Sequence, residues 1–194
     1  MTTFAFEYMR NSKTVVVLLA AFFFLHAELT LAQTATSVPT ADTSGTVVSG
    51  QSYAMIIGIS TYKHIRPLSY ADSDAGLFRE YLQSAGAGNI PDDRMLYLIN
   101  EEATAANFWV KGMAWLRSKN LGPGDRLYIY LAGHGDAINQ DEYFFLTYDC
   151  NPAGDKNNYI VTGSIQLYNL KSRIAELSRK NVEIFLIMDA CRTN

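Results

Sequence analysis

Two side chains in this sequence could do covalent chemistry together. His134 stands between two glycines in Tyr-Leu-Ala-Gly-His-Gly (130–135), and Cys191 follows 57 positions later in Ile-Met-Asp-Ala-Cys-Arg (187–192). A thiol of pKa near 8.5 is mostly protonated at neutral pH, and a neighbouring imidazole can take its proton as the thiolate attacks. The flanking glycines keep backbone amides accessible, so the amides of Gly135 and Cys191 are candidate donors to an oxyanion formed in acyl transfer. Taken singly, each residue also fits a structural role, because buried cysteine is a common small hydrophobe and histidine a common satisfied loop residue. The placement of both by the surrounding elements decides between the readings.

Short apolar runs of strand length occur at Tyr53–Ile59, Met95–Ile99, Leu127–Ala132 and Val182–Met188. Helical periodicity separates them: Ala71 to Ser84 closes near Gly86, Thr104 to Ser118 ends at Gly122-Pro123-Gly124, and Ile165 to Arg179 precedes the last run. A further segment, Glu142 to Tyr148, reads as a β-hairpin arm or extra strand, followed by a polar loop from Asp149 to Gly163. Strands alternating with helices of about a dozen residues predict βαβ units and a parallel sheet covered on both faces. Ligands of such sheets bind beyond the carboxyl ends of the strands. His134 follows the third strand and Cys191 the fourth, so adjacency of those strands would set the two residues side by side on one edge, strands being about 4.8 Å apart.

The motifs at 130–135 and 187–192 resemble the paired His-Gly and Ala-Cys motifs of the caspase-like cysteine peptidases, particularly the metacaspase and orthocaspase branch. The spacing is close to the separation of about 50 that accompanies the caspase cysteine signature. Tyr53 to Leu82, with Asp72-Ser-Asp74-Ala75, is similar to the first strand and helix of that family, so the resemblance spans nearly all of residues 52–194. It implies a three-layer α/β/α sandwich with a mainly parallel sheet. It implies His134 as general base, Cys191 as nucleophile, and the Gly135 and Cys191 amides as the oxyanion hole. Asp189 stands where relatives that cut after aspartate carry Gln, and Leu68 where they carry a pocket Arg. In the metacaspase branch, residues matching Asp74 and Asp189 line an acidic primary pocket, which implies cleavage after Arg or Lys through charge-assisted pairing. For Asp74 the alternative is a helix N-terminal carboxylate favoured by the macrodipole.

Some metacaspases need calcium, and Asp136, Asp141, Glu142, Asp149 and Asp155 crowd the loops after the third strand. No EF-hand spacing is present, and a solvated acidic loop is the competing reading; no metal ligand and no required cofactor are assigned. Cys150 and Cys191 would silence the nucleophile if they formed a disulfide. The rival to a peptidase acting on protein or peptide substrates is a caspase-like binding or scaffolding module that does not cut.

The amino end carries Arg10 and Lys13 before an apolar run from Val15 to Leu25, with Thr30-Leu31-Ala32 after it. The run is shorter than the ~20 residues a membrane span needs, so residues 1–32 read as a signal peptide cleaved before Gln33, with an uncleaved anchor as the alternative. Residues 33–51, rich in Thr, Ser, Ala and Gly, read as a flexible linker, leaving 52–194 as one exported domain. A hydrophobic content of 48% against 18% charged residues excludes a disordered chain, and a net charge of −3 without a basic cluster argues against a nucleic-acid partner. Nothing in the sequence reports an oligomeric state. The chain of 194 residues stops three residues after Cys191, where caspase-like domains continue with further strands. A truncated domain with weak or absent activity and an exposed edge at the fourth strand is therefore expected.

Overall fold

The computed structural model describes residues 14–17, 50–139 and 141–192. The strands are β1 (Thr14–Val17), β2 (Ser52–Gly58), β3 (Met95–Ile99), β4 (Arg126–Ala137), β5 (Tyr143–Leu146), β6 (Ser164–Gln166) and β7 (Glu183–Arg192), and the helices are α1 (Ala71–Gln83), α2 (Met113–Ser118) and α3 (Leu167–Arg179). The main path of the sheet runs β1-β7-β4-β2-β3, all parallel, and β5 and β6 add antiparallel pairings beyond the carboxyl end of β4.

Strands buried on both faces explain the continuous apolar runs, since helices cover each side of a parallel sheet. Leu127, Ile129 and Leu131 of β4 and Ile184, Leu186 and Met188 of β7 share one cluster with Met113 and Leu116 of α2 and Leu170 and Ile174 of α3. The alternate residues Tyr130 and Ala132 join Ala54 and Ile56 of β2 against Ala71, Ala75 and Leu82 of α1. The α/β/α layering expected from the sequence is thus present. Gly58 lets α1 approach closely, for a Cβ there would lie 2.4 Å from the Ala75 Cβ and 2.7 Å from the Ala71 carbonyl oxygen.

Three expectations change. The helix expected from Thr104 to Ser118 contains a π-helical segment, Asn107–Gly112, before α2. Ile165 and Gln166, expected to open the last helix, belong instead with Ser164 to β6, which pairs with β5. The third and fourth strands run five and four residues past their expected ends, at 132 and 188, to Ala137 and Arg192. Glycine-rich segments disfavour strands, but here β4 keeps a partner on each side: Gly135 pairs with Arg192 of β7 and with Phe145 of β5.

The outer edge of β7, expected to be exposed, is paired in register with β1, from Thr14 opposite Ile184 to Val17 opposite Ile187. The rest of the segment read as an export signal, and nearly all of the linker, lie outside the described residues. No helix among the described residues is long and apolar enough to cross a membrane.

Candidate active site

The long overlap of β4 with β7 places His134 directly opposite Cys191 in the ladder, with Ala132 opposite Asp189. Neighbouring strands are about 4.8 Å apart, so the two motif residues meet at one level of the sheet. His134 is 3% exposed. Its backbone amide donates to the Tyr62 hydroxyl oxygen at 2.7 Å, and the Tyr62 ring lies 5.0 Å from the imidazole, centroid to centroid. Nε2 is 2.9 Å from the Arg66 carbonyl oxygen. A carbonyl only accepts, so the proton of the neutral ring sits on Nε2 and Nδ1 is left as the basic nitrogen. Burial holds the His134 pKa below its ordinary value, and the Arg66 charge adds to this against the opposing bond from the Arg66 carbonyl. The imidazole is consequently neutral near pH 7 and able to accept a proton.

Gly135 has no room for a side chain: a Cβ would lie 1.9 Å from the Tyr143 hydroxyl oxygen. Tyr143 crosses over this glycine, and its hydroxyl donates to the Ala190 carbonyl at 3.2 Å, tying β5 to the residue before Cys191. The sequence motif thus contains a packing requirement as well as candidate chemistry.

The acidic residues Asp72 and Asp74 divide in function. Asp72 accepts from the Ser60 hydroxyl (2.7 Å) and the Asn100 side-chain amide (3.0 Å), while its own amide donates to Ser60 Oγ. These bonds hold its carboxyl below the usual range and fasten the start of α1 to the ends of β2 and β3. The Asp74 amide donates to the Tyr70 carbonyl at 2.8 Å, but its carboxylate has no hydrogen bond or ion pair among the described residues. Its pKa is raised by burial first and then by the negative charges of Asp189 and Asp72. Asp189, exposed at its end of β7, accepts from the Tyr130 hydroxyl at 3.2 Å. The structure therefore brings Asp74 and Asp189 into one electrostatic neighbourhood, and no cation neutralises it among the described residues. Leu68 packs against the α1 cluster.

The other acidic residues are dispersed. Asp136, 1% exposed, accepts from Lys156 and Tyr159; Asp149 accepts from the Thr147 hydroxyl and the Ala105 amide; Asp155 caps the turn beginning at Lys156. Glu142 accepts from Asn139. No group of three metal-ligating side chains forms among the described residues. Cys150 is a free thiol, fully buried beside Phe144, Leu146 and Tyr159, and desolvation pushes its pKa up to about 12. It is not in a disulfide, which removes that objection to Cys191 as a nucleophile.

Tyr62, Arg66, Tyr130 and Tyr143 are site components that sequence reasoning did not find. Their signals are weak, since each acts through a fold-dependent contact, with Tyr62 meeting its partner across 72 positions.

The caspase-domain family model matches residues 51–194. A crystal structure of protein GSU0716 from Geobacter sulfurreducens superimposes with a TM-score of 0.52 at 17% identity, over 73% of this chain and 50% of that one. The chain thus spans about half the length of that structure, and the likeness shows the fold alone. A search of curated proteins finds no significant match.

Proposed function

Because the chain belongs to the caspase-domain family, we propose that it serves as a cysteine endopeptidase that cleaves after Arg or Lys, with Cys191 as nucleophile and His134 as base. The observation that carries this reading is the register of β4 and β7, which sets His134 opposite Cys191 while the Arg66 carbonyl fixes the tautomer.

In this scheme Nδ1 of His134 takes the thiol proton as Sγ forms its bond to the substrate carbonyl carbon. The carbonyl oxygen becomes the oxyanion, for which the Cys191 and Gly135 amides are the proposed donors. Collapse of the tetrahedral intermediate breaks the C–N bond, and the imidazolium returns the proton to the departing amine. Water, activated by the same nitrogen, then releases the acyl group and restores the thiol. No cofactor is required, and calcium has no assigned role. Asp74 and Asp189 form the cation-binding pocket; their shared, unneutralised negative charge supports that assignment, because a guanidinium or ammonium would relieve it. The same reading places the activity outside the cytoplasm, after removal of residues 1–32.

Peptides with Arg, Lys or Asp before a fluorogenic leaving group test the proposal on the full-length protein. Turnover of the Arg and Lys peptides, not the Asp peptide, is expected, with at least a 1,000-fold loss in Cys191→Ala and His134→Ala, by analogy with the residual rates left when catalytic nucleophiles and bases are removed. Absence of turnover with all three peptides, with or without calcium, would favour a non-catalytic binding module.

A further inference from the structure

We propose that Tyr130 is a specificity-positioning residue, one whose hydroxyl holds the Asp189 carboxylate in the orientation that receives a substrate cation. The inference rests on the acidic-pocket reading above and adds to it a residue with no charge and no place in either motif's chemistry.

The argument begins with the sheet. Tyr130 of β4 is paired with Ile187 of β7, so Asp189 lies two residues further along the neighbouring strand, on the same face. From there the phenol reaches diagonally across the ladder and donates to Oδ2 of Asp189 at 3.2 Å. The ring has little freedom, being 7% exposed and stacked on Phe78 of α1 at 4.5 Å with an 18° interplanar angle. Asp189 itself is exposed, and a carboxylate without such an anchor would sample several rotamers. Burial raises the Tyr130 pKa first, and the charges of Asp189 and Asp74 raise it further, so the hydroxyl keeps its proton and always donates. Oδ2 is thereby occupied, and Oδ1 is left to pair with an incoming cation alongside Asp74. Phenylalanine would fill the same volume and stack equally well on Phe78; the hydroxyl is what the packing does not require.

Benzamidine, a planar amidinium, provides a probe that needs no catalysis. Calorimetric titration of the full-length protein is expected to show binding that weakens roughly fivefold in Tyr130→Phe, the equivalent of one hydrogen bond, and more strongly in Asp189→Asn. In the Asp189→Asn background Tyr130→Phe should cost nothing further, because a residue acting through Asp189 is non-additive with it. With the Arg peptide, Tyr130→Phe should raise KM by a similar factor and leave kcat within about twofold. Equal benzamidine affinity in wild type and Tyr130→Phe overturns the inference while the pocket stands. So does a loss of equal size in the Asp189→Asn background. No benzamidine binding by the wild-type protein overturns the pocket and the inference together.

Discussion

His134, buried and hydrogen-bonded at both its amide and Nε2, is set up to be neutral in the free protein. Two consequences follow from its lowered pKa. The acid limb of kcat/KM is expected below about pH 6.5, the ordinary histidine value; a limb above pH 7 would show that another group governs protonation. Stability has a matching sign. The unfolded chain binds the proton more readily, so stability is undiminished by His134 above the unfolded value of about pH 6.5 and is lost as the pH falls from there through the lower folded value. Tyr62→Phe removes the acceptor of the His134 amide and leaves a buried donor unpaired, which is expected to lower stability by about 1–3 kcal/mol in urea denaturation. His134 and Cys191 could be singled out in the sequence because the roles proposed for them, base and nucleophile, demand chemically distinctive side chains. Tyr62, Tyr130 and the Arg66 carbonyl could not, because a hydroxyl or a backbone oxygen acquires its role only when the loop after β2 and the face of β4 are folded against it.

Among the elements, β2, β3, β4 and β7 were legible from their apolar runs and their parallel arrangement from the alternation with helices, but their order in the sheet, their ends, and the strands β1 and β6 were not. Gly133 and Gly135 look like loop residues, yet β5 and β7 flank the end of β4 and extend it to Ala137. Position 135 takes glycine because the Tyr143 hydroxyl occupies the space of a Cβ. Gly135→Ala should therefore displace Tyr143 from the Ala190 carbonyl and reduce kcat at least tenfold in a protein that still folds; wild-type kcat in Gly135→Ala would show that this crossing is dispensable. Gly58 sets the other half of the site. A methyl group there would drive α1 away from β2, separating Asp74 from Asp189 and destabilising the domain by about 1–3 kcal/mol. Thermal denaturation of Gly58→Ala, together with its KM for the Arg peptide, checks both effects.

At the scale of the whole molecule, the polar segment after β5 is fastened beneath the sheet edge by one buried acid. Burial alone would raise the Asp136 pKa, but the bonds from Lys156, the Ala137 amide and Tyr159 outweigh it and hold the carboxyl low. That stability is present above the unfolded aspartate value near 3.9 and is lost as the pH falls through the lower folded value. Lys156→Met should move the acid-unfolding midpoint, followed by circular dichroism, to higher pH; an unchanged midpoint would show that the pair contributes little. The acidic loop read from the sequence is accordingly a set of separate caps and anchors, a distinction that composition cannot reveal. The amino-terminal segment meets two demands, since Val15, Val16 and Val17 belong both to the apolar run of the proposed export signal and to the strand covering β7. Removal of the signal would uncover that edge.

The central claim is that one cysteine, Cys191, is made reactive by His134 beside a pocket for a cationic side chain. It is tested most directly by treating the full-length protein with a peptidyl chloromethyl ketone bearing Arg at its carboxyl end and mapping the adduct by mass spectrometry. The account predicts a single adduct on Cys191, formed much more slowly in His134→Ala and suppressed by benzamidine. Modification of Cys150 instead, or equal labelling with and without His134, would contradict it.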